Sequence, residues 1–175
     1  TNDRPKALVE VHGKPMLGHL LHKLASFGIE EFVINVHHYA DKVINYLNQS
    51  EFSEYSIQIS DEREDLLETG GGLVKAAPLL KGSEPVLIHN VDIWTDLDYH
   101  KLIQFHTDKD AYVTLAMRDR KTSRYLWFNE KAELVGRENQ TTGETTLVRD
   151  CQSPKRLAFS GVHVVSQTFL ADLKG

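Results

Sequence analysis

The chain has 175 residues, 41% of them hydrophobic, enough for one domain with a sizeable core and too few for a second. Its formal net charge of -5, with no Lys/Arg block, excludes a general nucleic-acid binder, which needs a basic face to neutralise phosphates. No apolar run reaches the length of a membrane span, no signal-peptide pattern opens the chain, and a lone Cys151 cannot form an internal disulfide, so the expected setting is a reducing cytoplasm.

Thr1 to Lys6 is polar and extended, because Arg4 precedes Pro5 and is pushed away from helix geometry. Ala7 to Val11 is apolar enough to cross a ligand crevice. Gly13-Lys14-Pro15 then marks a turn into a helix on which Leu17, Leu20, Leu21 and Leu24 recur at helical spacing, with Gly28 at its C-terminal cap. Glu31 to Val36 reads as a buried strand. A second helix follows from about Ala40 to Asn48 with Val43, Ile44 and Leu47 inward, and Ser56 to Ser60 alternates like a strand. Asp61 to Asp65 is charged and expected to be solvated. The nine histidines include His19 and His22 on the first helix, but no H-E-x-x-H or Cys/His ligand spacing occurs, so no transition-metal site is expected and Cys151 receives no nucleophilic role.

Leu67-Glu68-Thr69-Gly70-Gly71-Gly72 precedes a helix-compatible run, Leu73 to Leu80. Glycines at a helix entrance let backbone N–H groups approach an anion or a nucleoside closely. Next comes Pro85 to Asp96, PVLIHNVDIWTD, in which Val86, Leu87 and Ile88 form a short buried strand ending at His89, Asn90 and Asp92. Open α/β sheets bind ligands just beyond the carboxyl ends of such strands, which makes Asp92 the leading functional carboxylate; a plain turn cap is its alternative role.

Beyond it, Asp96 is placed to cap a helix running to about Asp108, and Ala111 to Met117 forms the next strand. Arg124 to Phe128, Ala132 to Val135 and Thr145 to Val148 read as short antiparallel strands with turns at Asn129-Glu130 and Thr142-Gly143. Leu157 to Val165 returns to apolar strand character, and Ser166 caps a last helix. The alternation predicts a single α/β domain over residues 1–175: a three-layer α/β/α Rossmann-like fold with a mixed, mostly parallel sheet and a small antiparallel insertion. No long amphipathic or repeat element forces association, and the oligomeric state is left open.

In this order R-P-K-A-L-V-E-V-H-G-K-P-M (Arg4 to Met16), F-V-I-N-V-H-H-Y-A-D (Phe32 to Asp41), L-E-T-G-G-G (Leu67 to Gly72), H-N-V-D-I-W (His89 to Trp94) and F-S-G-V-H-V-V (Phe159 to Val165) resemble the nucleoside-diphosphate-sugar pyrophosphorylases, the nucleotidyltransferases that activate sugar 1-phosphates. Within that family the chain is most similar to the branch containing N-acetylmuramate 1-phosphate uridylyltransferase, and it also resembles mannose 1-phosphate guanylyltransferases. The resemblance implies phosphate contact at Lys6, base and ribose contact at Glu68, Thr69, Gly70 and Gly71, and a metal-binding carboxylate at Asp92 with Asn90 close by. It implies sugar-side contacts at Ser160 and Gly161, and at Glu138 by a weaker match. It also implies a preceding strand with a G-x-G-T-R loop and a later second metal aspartate, neither of which stands in these residues. Val91 occupies a position that is usually glycine, which narrows the backbone geometry there.

The implied reaction joins a nucleoside triphosphate and a sugar 1-phosphate with release of pyrophosphate, catalysed by positioning and by charge neutralisation from Mg²⁺ and lysine. Mg²⁺ takes one or two carboxylates and leaves its other positions to phosphate and water, which suits Asp92. Two other readings stay open, a glycosyltransferase of related fold and a non-catalytic module that binds a sugar nucleotide.

Overall fold

The structure, a computed structural model, describes residues 4–64, 67–82 and 84–173, with the side chains of Glu68 and Thr69 outside the described set. A 3-10 turn over Lys6–Leu8 leads to a small hairpin, β1 (Glu10–Val11) and β2 (Lys14–Pro15). His12 and Gly13 both adopt positive φ between them, as a tight two-residue turn requires. Helix α1 (Met16–Ala25) turns Leu17, Leu21 and Leu24 inward, and Gly28 with φ +80 lets the chain reverse behind it. Strand β3 (Glu31–Val36), helix α2 (Ala40–Leu47) and strand β4 (Ser56–Asp61) follow, with β4 pairing parallel to β3 in register from Glu31 opposite Ser56 to Val36 opposite Asp61.

Helix α3 spans Glu68–Ala76, so the glycine triplet lies inside it and not in a loop before it. Packing explains the difference: a β-carbon on Gly71 would sit 2.9 Å from Leu67 Cβ, and one on Gly72 would sit 2.7 Å from Glu62 Oε1. A side chain at either position would force these neighbours to shift, so close packing at Leu67, Glu62 and Asn35 offsets the poor helix propensity of glycine. Pro78 then prevents continuation, and a 3-10 turn over Ala77–Leu79 ends the segment.

Strand β5 (Val86–His89) leads through the Asp92 loop to α4 (Tyr99–Asp108). The cap of α4 is Asp98, whose carboxylate accepts from Lys101 N–H at 3.1 Å, and not Asp96. Thr95 Oγ1 takes the Leu97 N–H and keeps that stretch non-helical for two residues more. Strand β6 (Val113–Arg118) precedes an antiparallel ribbon of β7 (Arg124–Phe128), β8 (Leu134–Asn139) and β9 (Glu144–Leu147), in which the second strand lies later than the expected Ala132 to Val135. The positive φ of Ala132 holds it in the turn. Strand β10 (Lys155–Val165) follows, and Ser166 caps α5 (Gln167–Asp172) by accepting from Phe169 N–H.

The Rossmann-like α/β architecture and mixed pairing match the expected class, but the balance of directions differs from expectation. Among the described residues only β3 and β4 pair in parallel, whereas β10 runs antiparallel to β5, β6 and β7. The long β10 causes this by returning between β5 and β6, which would otherwise be parallel neighbours. One apolar cluster joins both sheets, drawing Leu21, Phe32, Val43 and Phe52 together with Tyr99, Ala116 and Val162.

Candidate active site

Strands β5 and β6 flank β10 and run in the same direction, so their carboxyl ends open on one side of the sheet. There β10 carries two more residues between Phe159 and His163 than β6 does between their partners Met117 and Leu115. That irregularity holds Ser160 and Gly161, the latter at φ +75. A β-carbon on Gly161 would stand 2.7 Å from Ile93 Cγ1 and 3.1 Å from Asn90 Nδ2, so the glycine lets the Asp92 loop lie directly on β10. Asn90 N–H donates to the Gly161 carbonyl at 2.9 Å and fixes the contact.

From below, His89 anchors the same loop. Its Nδ1–H donates to the Asn90 carbonyl at 2.8 Å, which leaves Nε2 to accept from the buried Tyr99 hydroxyl at 3.0 Å. Burial holds the imidazole below its ordinary pKa and the Tyr99 phenol above its own, so both are neutral near pH 7. The carbonyl of Asn90 also accepts from Ile93 N–H, closing a short turn over Val91 and Asp92. Val91 has no positive φ and packs on the apolar cluster, so valine fits the backbone in that turn.

Asp92 meets Lys6 across the loop, Nζ to Oδ2 at 3.6 Å, although 86 positions separate them in the chain. Their side chains are 42% and 74% exposed, so the pair is wet, is worth under about 1 kcal/mol, and leaves both groups free to exchange partners. Asp92 and Ser160 line a cavity of about 450 Å³, together with Trp94, Asp96, Arg118 and Arg120. A smaller space of about 240 Å³ lies between α1 and the same loop, and Trp94 lines both. Among the described residues no group of three or more His, Cys, Asp or Glu could hold a metal ion. Asp92 alone suits an ion that takes most of its ligands from phosphate and water.

The other expected site residues divide. Gly161 lies beneath the loop and is not among the residues lining the larger cavity. Gly70 and Gly71 are on the first turns of α3; Gly70 faces open space and Gly71 packs on Leu67. Glu68 and Thr69 begin that helix, and their side chains lie outside the described set. Glu138 sits in the ribbon, its carboxylate taken by Trp127 Nε1 at 3.2 Å, Arg156 Nη1 at 3.2 Å and Gln140 Nε2 at 3.3 Å. It does not line the Asp92 cavity.

Three residues near the site were not singled out from the sequence. Glu62, expected to be solvated with its neighbours, is 5% exposed and accepts from Asn35 Nδ2 at 2.6 Å under Gly72. Asp61 and Arg63 remain on the surface as expected, and Asp65 lies outside the described residues. Gly72, ten positions further along the chain, leaves the space that the Glu62 carboxylate fills. The others are Tyr99 and Arg118, an unremarkable helix start and strand end in the sequence.

A Rossmann-like sheet with a carboxylate, a lysine and a cavity at its strand ends defines a class of nucleotide-handling α/β proteins. The model of the family Nucleotidyl transferase matches residues 1–125, and the chain belongs to that family. N-acetylmuramate alpha-1-phosphate uridylyltransferase from Caulobacter vibrioides is 48% identical over 99 residues, covering 55% of this chain and 40% of its own length. The enzyme of that name from Neisseria meningitidis serogroup B is 33% identical over 130 residues, covering 74% of this chain and 52% of its own. The chain thus spans about half or less of these relatives. HddC from Yersinia pseudotuberculosis superposes with a TM-score of 0.78 at 20% identity over 99% of this chain and 72% of that one, and it has also been solved with GMP-PN. No helix among the described residues is long and apolar enough to cross a membrane.

Proposed function

We propose that the chain supplies the catalytic centre of a sugar 1-phosphate nucleotidyltransferase, forming a nucleoside-diphosphate sugar and pyrophosphate. The observation that carries this reading is the convergence of Lys6 and Asp92 at 3.6 Å beside the Ser160 cavity, at the carboxyl ends of β5 and β6. Family membership and the named activities of the relatives support it. Uridine triphosphate and N-acetylmuramate 1-phosphate are the preferred pair, because both uridylyltransferases are named for them.

In this mechanism an oxygen of the sugar 1-phosphate forms a bond to the α-phosphorus of the triphosphate while the α–β bridging P–O bond breaks and pyrophosphate leaves in line. Asp92 would hold Mg²⁺, which supplies charge neutralisation on the phosphates when bound. Lys6 leaves Asp92 and donates to a phosphate oxygen, and its flexible stem lets it follow the charge as it moves. The His89–Tyr99 pair keeps the Asp92 loop in one position, so little reorganisation is needed as substrates arrive. The first turns of α3 would face the nucleoside through Glu68, Thr69, Gly70 and Gly71, with Asn90 close to the phosphates, and Ser160 would contact the sugar. A free Cys151 and the lack of a membrane-spanning helix among the described residues support a cytoplasmic setting.

Pyrophosphate release by the full-length protein, with Mg²⁺, each common nucleoside triphosphate and a panel of sugar 1-phosphates, tests the reading. Release that needs both substrates is expected. Asp92→Ala should abolish it with an unchanged circular dichroism spectrum, and undiminished turnover in that variant would remove Asp92 from the metal role.

A further inference from the structure

The larger cavity is lined by two guanidinium groups, Arg118 and Arg120, beside the carboxylates of Asp92 and Asp96. Of its two guanidinium groups Arg120 is already engaged, donating through Nη2 to the Phe159 carbonyl at 3.3 Å and through Nη1 to the Lys121 carbonyl at 3.4 Å. Arg118 has no hydrogen-bond or ion-pair partner among the described residues, and neither guanidinium is paired with Asp96, the second carboxylate on the cavity wall.

Its place in the sheet gives this free charge a direction. Arg118 ends β6 opposite Ala158 of β10, while Asp92 follows β5, whose His89 lies opposite Val162 on the other edge of β10. Two interstrand spacings, about 10 Å, separate the two columns, with Ser160 between them. A hexose with its 1-phosphate spans that gap, so a sugar whose phosphate lies at Lys6 and Asp92 presents its far substituents to Arg118. Trp94, 65% exposed, offers an apolar wall to such a ring.

A hydroxyl or amide oxygen offers the guanidinium a single neutral acceptor, whereas a carboxylate matches the planar fork with two charge-assisted bonds. Resting on the nucleotidyltransferase reading above, we propose that Arg118 is a specificity-determining residue: it binds a carboxylate carried on a ring substituent of the sugar 1-phosphate and selects such a sugar over its uncharged counterpart.

The test compares wild type, Arg118→Gln and Arg118→Lys in the full-length protein. The substrates are N-acetylmuramate 1-phosphate and N-acetylglucosamine 1-phosphate, which differ by a lactyl ether that carries the carboxylate. The expected result is a KM for the first sugar raised about 10- to 100-fold by Arg118→Gln, with partial recovery in Arg118→Lys. KM for the second sugar and for the triphosphate should be unchanged. An equal rise for both sugars would assign Arg118 to the common phosphate, and no rise for either would leave it a surface residue; each overturns the proposal. If wild type turns over no sugar 1-phosphate of the panel, the parent reading fails, and calorimetric titration with the two sugar phosphates decides the inference separately. Carboxylate-dependent binding lost in Arg118→Gln upholds it, and equal binding of the two sugars by wild type refutes it.

Discussion

Between Met16 and Asp61 two helices and a parallel strand pair bury Leu17, Leu21, Phe32, Val36, Val43 and Leu47 in one cluster. Between Arg124 and Leu147 three antiparallel strands bury one large apolar side chain, Val135, and β9 is exposed along its length. The first region is held by packing, and every inward residue loses contacts if a neighbour is removed. Ladder hydrogen bonds and a polar clamp hold the second, in which Glu138 gathers Trp127 and Arg156. The Asp92 loop belongs with the first region: Val91 and Ile93 pack on the cluster and tie the loop to the core.

The largest expected effect breaks the packed side. Leu21 is 2% exposed, and Leu21→Ala should cost about 3 to 4 kcal/mol in urea unfolding, as cavity-forming substitutions do. Leu147, 58% exposed in the ribbon, should change by less than about 0.5 kcal/mol when made Ala. Equal losses would mean that the ribbon is packed as tightly as the helices.

Gly161→Ala probes the seam between the regions. With φ at +75 and Ile93 Cγ1 at 2.7 Å from the new carbon, it combines backbone strain with overpacking and should cost about 1 to 3 kcal/mol. Because Ile93 adjoins Asp92, the same variant should weaken Mg²⁺-dependent nucleotide binding. Intact binding alongside lost stability would separate the loop's packing from its function.

A smaller effect follows from the buried histidines. Burial lowers the pKa of His89, His106 and His163 from the ordinary 6.5. Their neutral forms suit the folded state, so the unfolded chain binds more protons below pH 6.5 and stability falls as pH drops from there toward the folded values. Urea midpoints at pH 7.5 and 5.5 should show this fall. His163→Phe should reduce it, since His163 Nδ1 is buried without a partner and phenylalanine keeps the contact with Phe159. A pH response unchanged by that substitution would place it elsewhere.

How much was legible follows the same division. Apolar residues at helical spacing located α1 and α2, and the apolar runs located β3 and β5, because a single buried face imposes its period on the sequence. Short motifs located Lys6, Asp92 and Ser160, but their meeting depends on the order of β5, β10 and β6, which no local pattern encodes. Charge predicts exposure for Glu62, whose partners Asn35 and Gly72 come from other elements. The cap falls on Asp98 and not on the expected Asp96, because the Thr95 hydroxyl takes the Leu97 N–H and delays the helix, a contact that no spacing rule encodes.

Glu138 gives a small predicted change and bears on where the site ends. The carboxylate is 15% exposed while Arg156 is 48% exposed, so solvent screens their pair. Glu138→Gln keeps an oxygen for Trp127 Nε1 and loses the ion pair and the exposed Gln140 hydrogen bond, so stability should drop by about 1 kcal/mol. Trp127 emission should stay in place. The same variant then separates two roles for the ribbon. A raised KM for the sugar 1-phosphate with stability intact would make β8 a wall of the site, reached when Arg156 gives up the carboxylate to a sugar hydroxyl. An unchanged KM would confine the site to the strand ends around Asp92 and leave Glu138 the clamp of a ribbon that lacks a core of its own.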